Sequence, residues 1–311
     1  MKLEHKSLLI GVIIGFGSVF LIFFILGNIK TEFTLSIGKQ DEKVRIDQKS
    51  NQDHIILSYN IKYDDTMDKE NNWSLRKKRL LNLLKDYNPS IIGIQEGLIN
   101  QVNYIDTYLE KYKYIGAGRD DGKTKGEFCA IYFDTTFYKV LEHSTFWLSE
   151  TPDLVSVGWD AALERVCTYG LFVSIYSGEK FLVLNTHFDH IGTVARIKSS
   201  ELILNKIKEI NKNSLPVVLM GDFNSIPDSE PIKIIEQDMI DGLRISLKNL
   251  QGPQGTFNGF DLSNPISKRI DYIFTKNFQV LYYRHIDDRL ENNNYISDHL
   301  PVMAVLKRSP I

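Results

Sequence analysis

Eight short apolar runs, each closed by turn-forming or polar residues, recur between His54 and Leu306: "HIILSYN" (54–60), "SIIGIQ" (90–95), "FCAIYF" (128–133), "YGLFVSIY" (169–176), "FLVLNTH" (181–187), "VVLMGD" (217–222), "RIDYIF" (269–274) and "PVMAVL" (301–306). Runs of this length with such boundaries suit β-strands. Two stretches between them carry helical periodicity. Ser74 is placed to cap a helix through Lys85, with Leu75, Leu80, Leu83 and Leu84 in one stripe and the basic "RKKR" on solvated faces. A second helix is expected over 194–211, with Ile197, Leu202, Leu204 and Ile207 partly buried. Strands outnumber helices and are interrupted by them irregularly. The fold class expected is a layered α/β domain of stacked sheets with helices packed outside. With 43% hydrophobic and 11% aromatic residues, the chain has ample material for that core.

The first 53 residues stand apart. Residues 7–27, "SLLIGVIIGFGSVFLIFFILG", carry no charge, and Lys2 and Lys6 lie in the short tail 1–6 before them. About 20 apolar residues cross a bilayer as a helix. A cleaved signal peptide has a shorter apolar region ending in small residues, and "FILG" is a poor cleavage site. The reading favoured is therefore a retained transmembrane signal anchor. Basic residues ahead of the span place the N-terminus inside and the bulk of the chain outside, that is, extracytoplasmic. If the anchor were cleaved, a secreted form would result. Residues 28–53 are polar and charge-mixed, a tether, and 54–311 form the globular domain.

Charge and cysteine content remove some classes. With 37 basic and 39 acidic residues the net charge is -2, which is no footprint for duplex DNA. Cys129 and Cys167 alone make neither a disulfide framework nor a Cys-rich zinc site. They are expected as small reduced core residues. There is no G-x-S-x-G elbow, H-E-x-x-H or glycine-rich phosphate loop, which weakens serine hydrolase, zinc protease and NTPase readings.

The apolar runs end in one kind of chemistry. Asn60, Glu96, His187, Asp222 and Asn224 close runs, Asp271 lies within one, and Asp298 and His299 precede the last. Any one of these is an ordinary turn residue. Together they supply four carboxylates, two carboxamides and two imidazoles to one polar cleft, if the topology gathers them. Hard oxygen ligands favour Mg²⁺, Mn²⁺ or Ca²⁺ over zinc. A histidine paired with a carboxylate can be kept protonated, and an imidazolium and a divalent cation both stabilise charge growing on phosphoryl oxygens. The inventory suits phosphoester hydrolysis by a metal-activated water.

At these residues the chain resembles the endonuclease/exonuclease/phosphatase superfamily. The matching motifs are "SYNIKYD" (58–64), "IQE" (94–96), "NTHFDH" (185–190), "GDFN" (221–224), "RIDYIF" (269–274) and "SDHLPV" (297–302), in the family's order. The resemblance implies a four-layer α/β sandwich: two packed mixed β-sheets flanked by helices, with the cleft at one edge. It implies Glu96 as main metal ligand with Asn60 nearby, Asp222 orienting the attacking water with Asn224, and His299 on the scissile phosphate, held by Asp271. His187 would be a second phosphate-binding imidazole, and Asp298 a support for the metal site or a second metal. The cofactor implied is Mg²⁺ or Mn²⁺, one or two ions. In apurinic endonucleases of this family an Asp follows two residues after the first motif's Asn. Lys62 stands at that place here, which puts a two-metal site in doubt.

The segments 116–127, 146–153 and 158–168 resemble a bacterial branch with largely unassigned substrates. Arg119 and Arg165 are its candidates for pairing with phosphate oxygens, since guanidinium forks match phosphate geometry. Glu127 is near the cleft in this reading, Tyr132, Trp147 and Trp159 are packing residues, and His190 has no role. The expected activity is a membrane-tethered, divalent-metal phosphodiesterase or phosphatase with a phosphoester substrate and no protein partner. Nucleic acid, a phospholipid or sphingolipid head group and a small phosphorylated metabolite compete as substrates. A non-catalytic binding module on the same fold is disfavoured, because Glu96, Asp222, Asn224, Asp271 and His299 are all present.

Overall fold

A computed structural model describes residues 53–309, which fall within one compact unit, Gln48–Ile311. The anchor expected over 7–27 and the tether over 28–53 lie outside the described residues, except Asp53, which opens the first strand. Among the described residues no helix is long and apolar enough to cross a membrane.

Among the described residues, twelve strands form two six-stranded sheets. One contains β1 (Asp53–Asn60), β2 (Ile91–Gln95), β3 (Tyr112–Ile115), β4 (Ile131–Asp134), β11 (Phe278–His285) and β12 (Val302–Arg308) in the order β11-β12-β1-β2-β4-β3. The other contains β5 (Tyr138–Trp147), β6 (Val166–Ser174), β7 (Lys180–His187), β8 (Val217–Asp222), β9 (Ile240–Asp241) and β10 (Asp271–Lys276) in the order β5-β6-β7-β8-β10-β9. Each sheet has one parallel pair at its centre, β1 with β2 and β7 with β8, and antiparallel neighbours around it. Parallel strands need a crossover. Helix α1 (Trp73–Tyr87) joins β1 to β2, and α3 (Thr193–Ile210) joins β7 to β8. The shorter helices α2 (Ile99–Tyr108) and α4 (Glu230–Glu236) follow β2 and β8.

The central strands are apolar throughout because both their faces are covered. Between the sheets, Ile56, Ile91, Ile131, Val302 and Ala304 pack with Phe172, Phe181, Val183, Val218, Met220 and Ile273. On the outer face of the second sheet, Leu182, Leu184, Leu219 and Phe274 pack with Ile203, Leu204 and Ile207 of α3 and Ile232 and Ile235 of α4. On α1, Leu80, Leu81, Leu83 and Leu84 are buried. The α/β sandwich of two mixed sheets with helices is thus the observed architecture.

Three local features differ from the sequence expectation. Leu75, expected in the apolar stripe of α1, is exposed. Helix α1 starts at Trp73, and its N-cap Asn72 makes no side-chain cap bond. Within "RKKR", Arg76 is not solvated but 1% exposed. It donates to the carbonyls of Ile61, Lys62, Asn71 and Ile296. Four of its five N–H donors thus reach backbone carbonyls, which explains why a guanidinium can be buried here: it ties together chain segments that approach the cleft.

Topology decides where polar residues collect. The C-terminal ends of parallel strands share one edge, as do the N-terminal ends of their antiparallel neighbours. Residues that follow β1, β2, β7 and β8 therefore meet residues that open β10 and precede β12. In register, His187 lies opposite Asp222 and Asp222 opposite Asp271. The same edge is clamped between the sheets. Asn185 donates to the carbonyls of Ile94 and Ala130, at 2.8 and 2.9 Å, and accepts from Gln95 Nε2 at 2.7 Å.

Candidate active site

Asn60, at the end of β1 and fully buried, is the hub. Its amide nitrogen lies 2.9 Å from Glu96 Oε1, 3.0 Å from Asp222 Oδ2 and 3.5 Å from His299 Nε2. Its carbonyl oxygen accepts the Lys62 N–H at 3.1 Å. In this orientation Asn60 presents N–H to both carboxylates, linking a residue after β2 with one at the end of β8. Glu96 also accepts the Tyr63 N–H at 3.2 Å.

Three residues at the rim have left-handed backbones without being glycine: Lys62 (φ 55°), Glu96 (φ 61°) and Asn224 (φ 45°). Such conformations cost of order 1 kcal/mol or more each and cluster where function fixes a side chain. Gly221, with φ 148°, meets a different constraint. A Cβ there would stand 2.0 Å from the Thr186 carbonyl oxygen on β7. Only glycine lets β8 run tightly beside β7 one residue before Asp222.

Asp271 and His299 form a buried pair, Nδ1 donating to Oδ2 at 2.9 Å. The opposite nitrogen, Nε2, points to Asp222 Oδ2 at 3.7 Å. Burial by itself would lower the His299 pKa, but the carboxylates of Asp271 and Asp222 outweigh it and push it up to about 10. Asp222 responds in the opposite sense. Burial first, then the neighbouring Asp271 carboxylate, push its carboxyl up to about 7, against the pull of His299 and the Asn224 N–H. The pair therefore combines a firmly protonated imidazole with a carboxylate poised near neutrality.

His187 is held neutral. Burial, then the Arg165 and Arg119 guanidinium groups, take its pKa well below the ordinary value. Arg165 Nη1 lies 3.2 Å from Nδ1 and Asn224 Nδ2 lies 3.1 Å from Nε2. Both neighbours offer N–H, and a neutral imidazole accepts only one such bond. The charged donor is the stronger, which leaves the His187 proton on Nε2, facing Asp222 Oδ2 at 3.5 Å. Asn224 also donates to the Phe188 carbonyl at 3.0 Å, so the turn after β8 is tied to β7.

The two arginines flank the site differently. Arg165 Nε reaches Asp189 Oδ1 at 3.3 Å, and Nη2 reaches His190 Nδ1 at 2.9 Å. Arg119 donates to Glu127 Oε2 at 2.7 Å, while its Nε has no hydrogen-bond partner. Glu127 lies 3.9 Å from His187 Nδ1. Glu96, Arg119, Glu127, Arg165 and His187 line a single small cavity. Asp298 lies on the other side of Glu96, with Lys62 Nζ between them at 3.3 Å from Asp298 Oδ2 and 3.8 Å from Glu96 Oε2.

All ten residues singled out in the sequence come to this edge of the two sheets, either in the network or along its walls. The packing residues fall as expected: Tyr132 is buried and bonds the Val102 carbonyl, and Trp147 is buried with Cys129 and Val166. Four contributors were not assigned from the sequence. Asp189 fixes Arg165 and accepts the Ile191 and Gly192 N–H groups. Burial opposes its ionisation, but those bonds outweigh it and bring its pKa down to about 2. His190 receives Arg165, and Gln95 and Asn185 form the inter-sheet clamp. Asn185, Asp189 and His190 all lie inside the quoted "NTHFDH", so the signal was present without a distinguishing role.

The donor set fits a hard divalent ion. The cleft offers carboxylate oxygens, burial keeps Cys129 at the cavity wall as a thiol, and Asp271 Oδ1 is buried without a hydrogen-bond partner. One oxygen each of Asp222 and Asp271 and one nitrogen of His299 lie within 4.8 Å of one another. That trio is a poor cation cage, because His299 spends Nδ1 on Asp271 and is held protonated. Glu96 makes no bond to an imidazolium and could hold such an ion, with the Lys62 ammonium 3.8 Å from its Oε2.

Residues 57–299 match the family model of the Endonuclease/Exonuclease/phosphatase family. The chain is 37% identical to a solved endonuclease/exonuclease/phosphatase from Bacteroides vulgatus, over 83% of this chain and 100% of that one, with a TM-score of 0.79. It is 35% identical to a solved mannosyl-6-phosphatase from Bacteroides thetaiotaomicron, over 81% of this chain and 99% of that one, with a TM-score of 0.78. A probable RNA exonuclease of Saccharomyces cerevisiae is 30% identical over 173 residues, 51% of this chain but 33% of that protein. The chain thus spans about a third of that relative's length.

Proposed function

Because the chain belongs to the endonuclease/exonuclease/phosphatase family, we propose that it hydrolyses phosphate esters at the Asp222–His299–Asn60 edge, assisted by Mg²⁺ or Mn²⁺. The observation that carries this reading is the single buried network joining Asn60, Glu96, Asp222, Asp271 and His299.

The geometry supports the following division of labour. Glu96 would hold the ion, with Asn60 and Asp298 beside it. When bound, that ion supplies positive charge to the reacting phosphoryl oxygens and lowers the cost of ionising water. Asp222 orients the attacking water and takes its proton, a task for which a carboxyl near pKa 7 is suited. As the new P–O bond forms, the bond to the leaving oxygen breaks. The His299 imidazolium, fixed by Asp271, faces the phosphoryl oxygens where negative charge increases. Neutral His187 and the amide of Asn224 add hydrogen-bond donors on the β7–β8 side. Arg165 orients His187 and His190 with two of its five N–H donors and is itself fixed by a third on Asp189. Arg119, whose Nε makes no hydrogen bond and lies 3.7 Å from Asp120 Oδ1, is the freer guanidinium for a phosphate oxygen.

Within the phosphoester class, a small phosphomonoester fits best. Arg119 and Arg165 line the cavity with guanidinium donors that match phosphate oxygens, each already paired with a carboxylate, Glu127 and Asp189. The mannosyl-6-phosphatase that this chain resembles over nearly that protein's whole length points the same way. Comparing sugar phosphates, RNA, plasmid DNA and sphingomyelin as substrates tests this. Turnover of sugar phosphates at least tenfold above the others is expected, and preferential cleavage of a nucleic acid or sphingomyelin would refute it. Residues 7–27 are proposed to anchor this domain, 54–311, to a membrane through the 28–53 tether with the cleft on the extracytoplasmic side. Protease accessibility of the domain in intact cells, compared with lysed cells, tests that arrangement.

A further inference from the structure

Lys62 is an unusual neighbour for a proposed cation site. Its ammonium lies between two carboxylates, 3.3 Å from Asp298 and 3.8 Å from Glu96. It also sits 4.7 Å from the centre of the Tyr63 ring. The backbone that aims it there is left-handed, at φ 55°. That conformation is held from three sides. Its N–H donates to Asn60 Oδ1, and its carbonyl accepts from Arg76 Nη2 and Gln101 Nε2. A surface lysine pairing by chance is not set this way. Buried neighbours fix the backbone so that the side chain turns inward.

Charge balance at the edge points in the same direction. Glu96, Asp222, Asp271 and Asp298 bring four negative charges when ionised. The His299 imidazolium and the Lys62 ammonium cancel two of them, and one divalent ion cancels the remaining two. A second divalent ion would leave the cleft with excess positive charge and would have to displace a paired ammonium.

We propose that the Lys62 ammonium takes the place of a second divalent cation between Asp298 and Glu96 and restricts the site to one ion. Asp298 is thereby paired to Lys62, and Glu96 is left to hold the single ion. This rests on the metal-assisted reading above, and the experiment separates the two.

The test is metal stoichiometry in the full-length protein, stripped of metal and titrated with Mn²⁺ by calorimetry. Frozen-solution electron paramagnetic resonance in excess Mn²⁺ accompanies it. The wild type and Lys62→Arg are expected to bind one Mn²⁺ per chain with uncoupled spectra. Lys62→Met, which keeps the stem and removes the charge, is expected to bind two, with the spin coupling of a close Mn²⁺ pair. Adding Asp298→Asn to Lys62→Met should return the count to one. Two ions in the wild type, or one in a folded Lys62→Met protein, would overturn the role of Lys62 while leaving the metal reading intact. Should Lys62→Met not fold, the wild-type count and spectrum decide alone. Binding of no Mn²⁺ by the wild type would overturn both.

Discussion

Asp222 is the most crowded anion of the cleft, and its two functions oppose each other. It is buried beside Asp271, which raises its pKa, and it faces the groups that reaction requires. Asp222→Asn should therefore lower turnover at least about 10³-fold, yet leave the melting temperature equal or higher, because a destabilised carboxyl has been removed. Thermal melting and steady-state rates on the same preparation check both halves. His285 is a titrating group away from this edge. It is fully buried, Nδ1 donates to the Pro253 carbonyl at 2.8 Å, and Nε2 has no partner. Burial pushes its pKa down to about 4. The unfolded chain thus takes up a proton near pH 6.5 that the folded one refuses until about 4. Stability is complete above 6.5 and falls as pH drops through that window, by roughly 3 kcal/mol at most from this residue. Urea unfolding from pH 7 to 4 should show the loss, and His285→Asn should reduce it. At this scale the sequence was informative for chemical type: carboxylates, amides and imidazoles beside apolar runs stood out. It was silent where a residue's role depends on distant backbone. Arg76 reads as one of four basic residues on a helix, and only the carbonyls of Ile61 and Ile296 make it a buried tie.

Strands and their connections place these groups. The two parallel pairs, each crossed by a helix, send four strand ends to one edge, and β10 and β12 begin there. The apolar runs marked these strands because burial on both faces removes alternation. Edge elements were harder to read. β5 has only three of its ten residues buried, two of them adjacent at its end, and α2 carries polar residues through a short span without an acidic first turn. β3 and β11 likewise mix buried and exposed positions. The inter-sheet clamp makes a prediction at this scale. Asn185→Leu removes three buried hydrogen bonds, those to the Ile94 and Ala130 carbonyls and the one from Gln95 Nε2, so it should cost about 3 kcal/mol in urea unfolding. Gly221→Ala should cost at least as much, because a methyl at 2.0 Å from the Thr186 carbonyl forces β7 and β8 apart. Both should also reduce turnover, since His187 and Asp222 end those strands.

The whole molecule is a polar edge held by two sheets whose cores are otherwise apolar. Net charge says little about it: a chain of charge -2 still places Arg119 and Arg165 within the small cavity while carboxylates crowd the neighbouring network. The ordered motifs made the sandwich legible because each marks a strand arriving at the same edge. The pairing of Lys62 with Asp298 and the spacing of His187 from Asp222 needed three dimensions, since their partners lie far apart in sequence. The central claim is that Asp222 and a divalent ion act together on a phosphoester at this edge. Its most direct measurement is turnover of p-nitrophenyl phosphate by full-length protein, in Mg²⁺, in EDTA and after Mg²⁺ is restored, with Asp222→Asn in parallel. The account predicts activity that disappears in EDTA, returns with Mg²⁺, and is lost at least about 10³-fold in the folded variant. Undiminished turnover in EDTA, or an Asp222→Asn protein as active as the wild type, would contradict it.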